Sequence, residues 1–536
     1  MAVATAAAFL ATVTAALYAG DRLPSSRAAA GVPLTVSRLR GGSASAEEPS
    51  AEESWDYIII GGGAAGCVMA DRLSAADEGS KKARVLVLEA GTDASKDLRV
   101  RVPAGLIKVF KSERDWDFST EQEAATSERG VYLCRGKALG GSSCTNVMLY
   151  HRGSPADYDS WVAAGADGWG PDEVLRYYRK SEHFVGGESQ YHGVDGPMFV
   201  DDVPYENELS TAFLSAVGEL GYRRTHDFND WSAPQEGFGR FKVTQRNGER
   251  CSAANAYLEG TEQRDNLCVR TGAQVTRVVL EGSEAANDVC ASGVAYIDEE
   301  GASRCAQLAA GGEVIMSAGA VQSPQLLMLS GIGPRAHLEE HGIEVRKGAE
   351  GVGAGLADHP AVVVSYACKK AVSVTDEIRL WGGSKTNPVA LLKWLLWRRG
   401  PLTSVACEFG GFFKTDPKHE QADLQVKPAP RAFSATLLPP LSTRFSSPRR
   451  PLSCTPPSMC PHSPGHAGRR PHAFTPRDLA LPASHPGALR RGSRHVAGRH
   501  HDAEAARLWP KVPAGLHDAD HRLPPAECGQ CAPQEH

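Results

Sequence analysis

No run of about 20 strongly apolar residues occurs within the body of this 536-residue sequence, so no internal transmembrane span is predicted. Charge of one sign is lacking too. Against 63 Asp and Glu stand 58 Lys and Arg, a net −5, and so weak a field gives nucleic acid no purchase. The 13 cysteines have no framework spacing; an odd number in a long chain reads mostly as reduced thiols. Metal-ligand spacing is missing as well. Cys528-Gly529-Gln530-Cys531 has no βαβ context and no second ligand pair, and His500-His501 has no periodic scaffold, so no metal is expected. The last stretch lacks the most. Residues 428–536 contain no Ile, Tyr or Asn and one Lys, but 19 prolines and 10 histidines. Such composition cannot bury a core and predicts a disordered tail, the product of a genuine lineage-specific extension or of a frame-shifted or intron-read gene.

The rest is an ordinary globular balance, 42% hydrophobic and 23% charged, long enough for two or more domains. Residues 1–20 are apolar and alanine-rich like the hydrophobic region of a signal peptide, though without basic residues before it. Residues 22–46 carry Arg22, Arg27, Arg38 and Arg40 among many Ser and Ala, with no acid, which is transit-peptide composition. Together they resemble the two-part address of algae whose plastids lie inside extra membranes, so a plastid location is expected. An uncleaved anchor and a structureless leader are the alternatives. Residues 1–54 are thus read as leader and linker, with the fold beginning at Trp55.

The chain is organised around Asp56-Tyr57-Ile58-Ile59-Ile60-Gly61-Gly62-Gly63-Ala64-Ala65-Gly66. Residues 57–60 are apolar and β-branched, as in a buried parallel strand. They run into G-x-G-x-x-G, and a helix is predicted to about residue 76. Gly61 allows the tight turn, Gly63 lets a pyrophosphate approach the backbone, and Gly66 lets the helix pack on the strand. The helix N-terminus offers free N–H groups and partial positive charge to phosphates. Residues 82–88 read as the second strand, ended by Glu89 at the spacing of the acid that binds the adenosine ribose. An acid there disfavours a 2′-phosphate. The motif alone does not choose between NAD and FAD.

A second glycine turn, Gly140-Gly141-Ser142-Ser143, again brings backbone N–H groups towards a flat or anionic ligand. With Gly136-Lys137-Ala138-Leu139 before it and Asn146, Tyr150, Gly153 and Asp159 beyond, it resembles the first signature of the glucose–methanol–choline (GMC) oxidoreductases; Thr145 replaces the usual aliphatic residue. Residues 319–333, GAVQSPQLLMLSGIG, match the second signature: a capped helix after a strand at 312–317, with a glycine stop. Residues 351–360, GVGAGLADHP, are similar to a third family segment, with Gly355 where Asn is usual. The resemblance implies an α/β fold: a Rossmann-type FAD-binding domain over residues 55–360, with a substrate-cap excursion at about 158–245. An incomplete α+β substrate domain begins at 361–427. It implies FAD along Gly61, Gly63, Gly66, Glu89, Gly140, Gly141, Ser142 and Asn146, with the adenine at Val275. It assigns His359 a structural rather than a catalytic place. A strand pair is expected over 267–280.

Residues 389–397, VALLKWLLW, are apolar on more than one helical face: a buried helix of the substrate domain, or alternatively an acyl-channel wall or an interfacial helix touching lipid. The following Gly400-Pro401-Leu402-Thr403-Ser404-Val405-Ala406-Cys407-Glu408 resembles the algal fatty acid photodecarboxylase subgroup. That resemblance puts Cys407 beside flavin and substrate carboxylate, with a structural buried cysteine as the alternative. The subgroup's carboxylate-facing Arg is matched here by Lys427 in Asp423-Leu424-Gln425-Val426-Lys427; Lys pairs a carboxylate without bidentate geometry. The resemblance implies light-driven decarboxylation of a fatty acid to an alkane. The rivals are a choline-like FAD-dependent alcohol dehydrogenase and a non-catalytic flavin-binding relic. A small-molecule or fatty acid substrate, no nucleic acid and possible peripheral membrane contact complete the expectation. Because the family's last flavin-domain segment and active-site His are not recognisable, the chain is expected to expose part of its flavin domain and to lack a complete active site.

Overall fold

The computed structural model describes residues 54–75, 82–123, 126–366, 368, 370–379 and 386–429. The leader, apart from Ser54, and the tail beyond residue 429 lie outside the described residues, as do His500-His501 and Cys528 to Cys531.

Strand β1 (Ser54–Ile60), helix α1 (Ala64–Ser74) and strand β2 (Val85–Glu89) form the strand–turn–helix–strand unit read from the glycine motif. Six residues of this pair, Ile58, Ile59, Val85, Leu86, Val87 and Leu88, are buried to within 1%. Each contributes about 1.5–3 kcal/mol over an exposed position. Their side chains alternate between two cores, because successive residues of a strand face opposite ways. Ile59, Val85 and Val87 pack on Cys67 and Ala70 of α1; Ile58, Ile60, Leu86 and Leu88 pack on the other layer.

After the cap helices α2 (Pro155–Ala163), α3 (Pro171–Ser181) and α4 (Glu208–Glu219) comes strand β3 (Gly237–Arg240), then the short helix α5 (Ala253–Tyr257). Strands β4 (Leu267–Thr271) and β5 (Gln274–Glu281) fill the span expected as a strand pair but do not pair with each other; β6 (Cys290–Ile297) and β7 (Ser303–Met316) follow. One six-stranded sheet runs in the order β4-β2-β1-β7-β6-β5, parallel from β4 to β7 and antiparallel from β7 to β5. Strand β7 is far longer than the 312–317 run suggests. Its first half pairs antiparallel with β6 and its second half parallel with β1, joining two kinds of sheet in one strand. It is also less covered. Val314, Ile315 and Met316 are half-buried beside the buried Ile58, Ile59 and Ile60 of β1, and helix α6 (Gly319–Leu329), which follows them, buries only Leu326. Helix α6 has no side-chain cap: Ala318 stands at its N-cap, which corrects the expected capped start.

The cap draws on both expected substrate segments. Strand β3 pairs antiparallel with β8 (Phe409–Phe413), which pairs with β9 (Leu424–Val426). Beneath it lies a buried charge chain. Arg152 meets Glu182 at 2.7 Å, and the His192 ring bridges Glu182 (3.0 Å from Nδ1) and Asp227 (3.2 Å from Nε2). Burial pulls the His192 imidazole down. Its bonds to Asp227 and Glu182 outweigh that and hold it above its ordinary value.

Helix α7 (Pro388–Trp397) starts at Asn387, whose side chain accepts from Val389 N–H, with Pro388 in the first turn, where its missing N–H costs nothing. Ala390, Leu391 and Trp394 pack on Val102, Ala104 and Leu402, and Trp394 Nε1–H donates to Gly248 O at 3.1 Å. The outer face remains exposed, so the expectation of a buried helix holds for one side only.

Candidate flavin and substrate site

The glycine turn is shaped for a ligand. Gly61 has φ +93°, a left-handed conformation that glycine adopts freely. A Cβ on Gly66 would sit 1.9 Å from Gly61 O, so helix and strand touch there backbone to backbone. A Cβ on Gly63 would meet nothing nearer than Gly141 Cα and Ser317 O, both at 3.9 Å: the protein leaves that space open. Gly63 caps α1 without a side-chain bond, and Ala64 and Ala65 are exposed, so the first N–H groups of the helix face outward uncapped.

Glu89 ends β2 beside this turn. Its carboxylate accepts from Gly62 N–H at 2.8 Å and Gly91 N–H at 2.7 Å, which leaves a lone pair on each oxygen for a ribose hydroxyl. Burial raises its carboxyl above the usual range, against the pull of the Gly91 and Gly62 bonds. Val275 lies at the start of β5, close to the same end of β2: Ala273 N–H donates to Glu89 O at 2.9 Å. Its side chain is in the core, so it can offer a ligand only its backbone.

The second glycine turn is bolted to the first. Gly140 N–H donates to Gly62 O at 2.7 Å, and Gly141 faces Gly63 so closely that a Cβ on Gly141 would lie 2.7 Å from Gly63 Cα. Ser142 Oγ accepts from Gly136 N–H at 3.1 Å. Asn146 is exposed, with Oδ1 held by Met148 N–H (3.1 Å) and by Arg250 (2.7 Å), so its amide NH₂ is free to meet a ligand. Arg250 was not legible in the sequence. It is buried and also donates to Val100 O and Ser143 O, both at 3.0 Å. Burial lowers its guanidinium to about 10, still charged at neutral pH. It fixes the loop and lends it positive potential. The open Gly63 cradle, the uncapped helix start and the free Asn146 amide all fit FAD.

Cys407 follows a tight bend after the Pro401–Thr403 turn. Ala406 sits at φ +72°, strained for a residue with a Cβ, and buried Glu408 braces the bend by accepting from Val405 N–H at 3.0 Å and from Ser404 Oγ. Cys407 is buried. Burial pushes its thiol to about 12; the Glu408 charge adds to this and the Lys427 charge opposes it, so Sγ–H is neutral at any physiological pH. Lys427, at the exposed end of β9, therefore lies within electrostatic reach of Cys407. It acts on His151 as well. Burial first, then Lys427, lowers that imidazole to about 4. Gly153 N–H donates to His151 Nδ1 at 3.0 Å, and Nε2 lies 3.3 Å from the Gln235 amide. The His151 ring packs on Phe412, Phe228 and Phe241, with centroids 4.8, 6.0 and 6.4 Å away. Lys427 thus bears on one neutral thiol and one neutral imidazole, and the imidazole packs on an aromatic wall. Sequence reasoning passed over His151, although it follows the signature residue Tyr150 directly.

His359 is exposed, its backbone N–H bonded to Asp358 at 2.8 Å, in extended chain that pairs with no strand among the described residues. That is neither a catalytic nor a packed structural place. Gly355 stands at φ +68°, a conformation Asn also tolerates, so the exchange of one for the other keeps the turn. All nine described cysteines are free thiols.

Comparison with known proteins agrees with this geometry. The family model for GMC oxidoreductases matches residues 55–361. The chloroplastic fatty acid photodecarboxylase of Chlamydomonas reinhardtii is 43% identical over 390 residues, 71% of this chain and 62% of that protein. An oxygen-dependent choline dehydrogenase of Photobacterium profundum is 39% identical, over 65% of this chain and 58% of its own. A formate oxidase of Aspergillus oryzae, solved in a study of its FAD modification, superposes with a TM-score of 0.59 at 27% identity, covering 67% of this chain and 61% of that one. The chain spans about three fifths of the length of these two curated relatives. From the doubled glycine turn to the family match, the findings converge: this chain belongs to the GMC oxidoreductase family, whose cofactor is FAD.

Proposed function

We propose that the protein is a light-driven fatty acid photodecarboxylase of the plastid. The observation that carries this reading is the reach of Lys427: its charge acts both on the neutral buried thiol of Cys407 and on the neutral His151 imidazole, whose ring packs on Phe228, Phe241 and Phe412. A carboxylate with an alkyl chain suits such a place, since one end meets a positive charge and the other an apolar wall. Gly61, Gly63, Gly66, Glu89, Gly140, Gly141, Ser142, Asn146 and the Val275 backbone would hold FAD. When bound, FAD supplies light absorption and one-electron exchange, so that RCOO⁻ and a proton become RH and CO₂ without net oxidation. Lys427 orients the carboxylate as a point charge. Cys407 keeps a proton at Sγ close to where the alkyl product needs one. The aromatic wall excludes water from the reacting end.

Similarity to the Chlamydomonas protein and the transit-like residues 22–46 support the plastid location, which imaging of residues 1–54 fused to a fluorescent protein tests. A second reading, dehydrogenation of a choline-like alcohol, is supported by the similarity to the Photobacterium choline dehydrogenase; the His151 imidazole, neutral at neutral pH, would take the hydroxyl proton only on giving up the Gly153 N–H that Nδ1 accepts. Illuminating flavin-loaded protein with palmitate separates the two. Pentadecane in blue light supports the decarboxylase, whereas alcohol oxidation in the dark with no alkane in the light hands the site to the second reading. Bound flavin with neither turnover would mark a non-catalytic relic.

A further inference from the structure

The outward face of α7 is apolar and open. Positions 389, 392, 393, 396 and 397 follow the i, i+3, i+4, i+7, i+8 spacing of one helical face. Four of the five are Val389, Leu392, Leu396 and Trp397, between 43% and 62% exposed. The fifth is Lys393, and Arg399 stands just past the helix; both are exposed, and neither forms an ion pair among the described residues. From Asn387 to Thr403 there is no acidic residue. The helix is not loosely held: Trp394, Leu391 and Ala390 root its other side in the core. At 10 residues it is about 15 Å long, half of what crossing a bilayer needs.

We propose that α7 docks the protein on an anionic lipid surface. It would lie in the plane of the interface, its leucines among the acyl chains, Trp397 at headgroup depth, and Lys393 and Arg399 against the lipid anions. Charge selects this occupant. A second copy packed face to face would bring these cations towards their own duplicates with no acid on either helix to offset them. The chain's own residues 430–536 carry 13 arginines and one lysine against seven acids, and would be repelled. The inference holds whichever substrate the site takes.

Flotation of the full chain with vesicles tests it, comparing phosphatidylcholine alone with phosphatidylcholine containing about 30% phosphatidylglycerol. Binding is expected to the anionic vesicles and to weaken at high salt. Lys393→Gln and Arg399→Gln should each lower partitioning about fivefold. The double variant Leu392→Glu/Leu396→Glu should lower it at least about a hundredfold, with thermal stability unchanged because both leucines are exposed. Failure of the wild type to bind anionic vesicles overturns the proposal, as does equal binding by all variants. A wild-type dimer that the double variant turns into a monomer assigns the face to a second copy instead. A double variant that melts lower than a non-binding wild type assigns it to the chain itself.

Discussion

Gly63→Val and Gly66→Ala should separate cofactor binding from folding, although the two glycines are three residues apart. The difference lies in what a side chain would meet. At Gly66 a Cβ would fall 1.9 Å from the Gly61 carbonyl oxygen, backbone that no rotamer change can move. Helix α1 would have to lift from β1, opening the contacts of Cys67 and Ala70 with Ile59. Overpacking a core costs about 1–3 kcal/mol where side chains can yield; where backbone must move, a cost of about 3–5 kcal/mol is expected, a large share of a total stability of roughly 5–15 kcal/mol. At Gly63 the first atoms are 3.9 Å from the new Cβ, and the backbone, at φ −76° and ψ −163°, suits any residue. The fold should lose no more than about 1 kcal/mol there, chiefly because valine is a poorer N-cap than glycine. The branched side chain would instead fill the space reserved for the pyrophosphate. FAD affinity should fall at least a hundredfold, about 2.7 kcal/mol. Urea titration of the flavin-free proteins reads the first quantity, and flavin absorbance per mole of purified protein reads the second. Gly63→Val protein that keeps full flavin, or that unfolds as readily as Gly66→Ala, would refute the assignment of this turn to the cofactor.

Other consequences follow from particular contacts. Lys427→Gln should raise KM for a fatty acid about two- to fivefold, modest because the ammonium is exposed, while Lys427→Arg should restore or improve it; an unchanged KM removes Lys427 from the site. His192 is held above its ordinary pKa of about 6.5, so the stability from its charged form is full below that pH and is lost as pH rises through the raised value. The urea midpoint should therefore decline above about pH 6.5. His192→Gln should flatten that decline, and an identical slope in the variant would clear His192 of responsibility. Arg250→Ala should cost about 3–5 kcal/mol, because it strips three acceptors of a buried cation, and should lower flavin content. Arg250→Ala protein with wild-type melting and flavin would show the loop to be self-supporting. The half-buried Val314, Ile315 and Met316, with α6 beside them, should bind a hydrophobic dye and leave the protein poorly flavin-loaded; a flavin-saturated, dye-silent protein would contradict this.

Legibility in the sequence followed distance along the chain. The β1–α1–β2 unit could be read because every residue that makes it lies within 36 positions, and its strand, turn and helix signals are contiguous. Strand β7 was read only in its second half. Its first half, Ser303 to Gln307, carries Arg, Cys and Gln, because it edges onto the antiparallel part of the sheet, where one side meets water. The pairing of β3 with β8 joins Arg240 to Phe409, and no local pattern announces a partner that far off. Cys407 and Lys427 could be named from motif resemblance alone. His151 and Arg250 could not, since what sets them apart is burial against residues of other segments. The open outer face of α7 was legible only as an alternative to a buried helix, because apolar spacing on more than one face does not say which face meets the core.

Arg250 also imposes an order of assembly. The loop it clasps is complete once the chain has reached Asn146, yet its clasp comes about a hundred residues later, after the first cap excursion has been threaded. A growing chain that has emerged only as far as β3 has both glycine turns but not the Arg250 guanidinium that ties Ser143 of the second turn to Val100. Cofactor capture during synthesis therefore has to wait for the chain to return from the first cap excursion. Long-range closure of this kind is slow, and the unclasped loop is exposed meanwhile. Flavin loading then becomes a checkpoint on the cap: a ribosome-stalled fragment ending before Arg250 should emerge colourless, and one ending beyond β7 should be the first able to hold the dye.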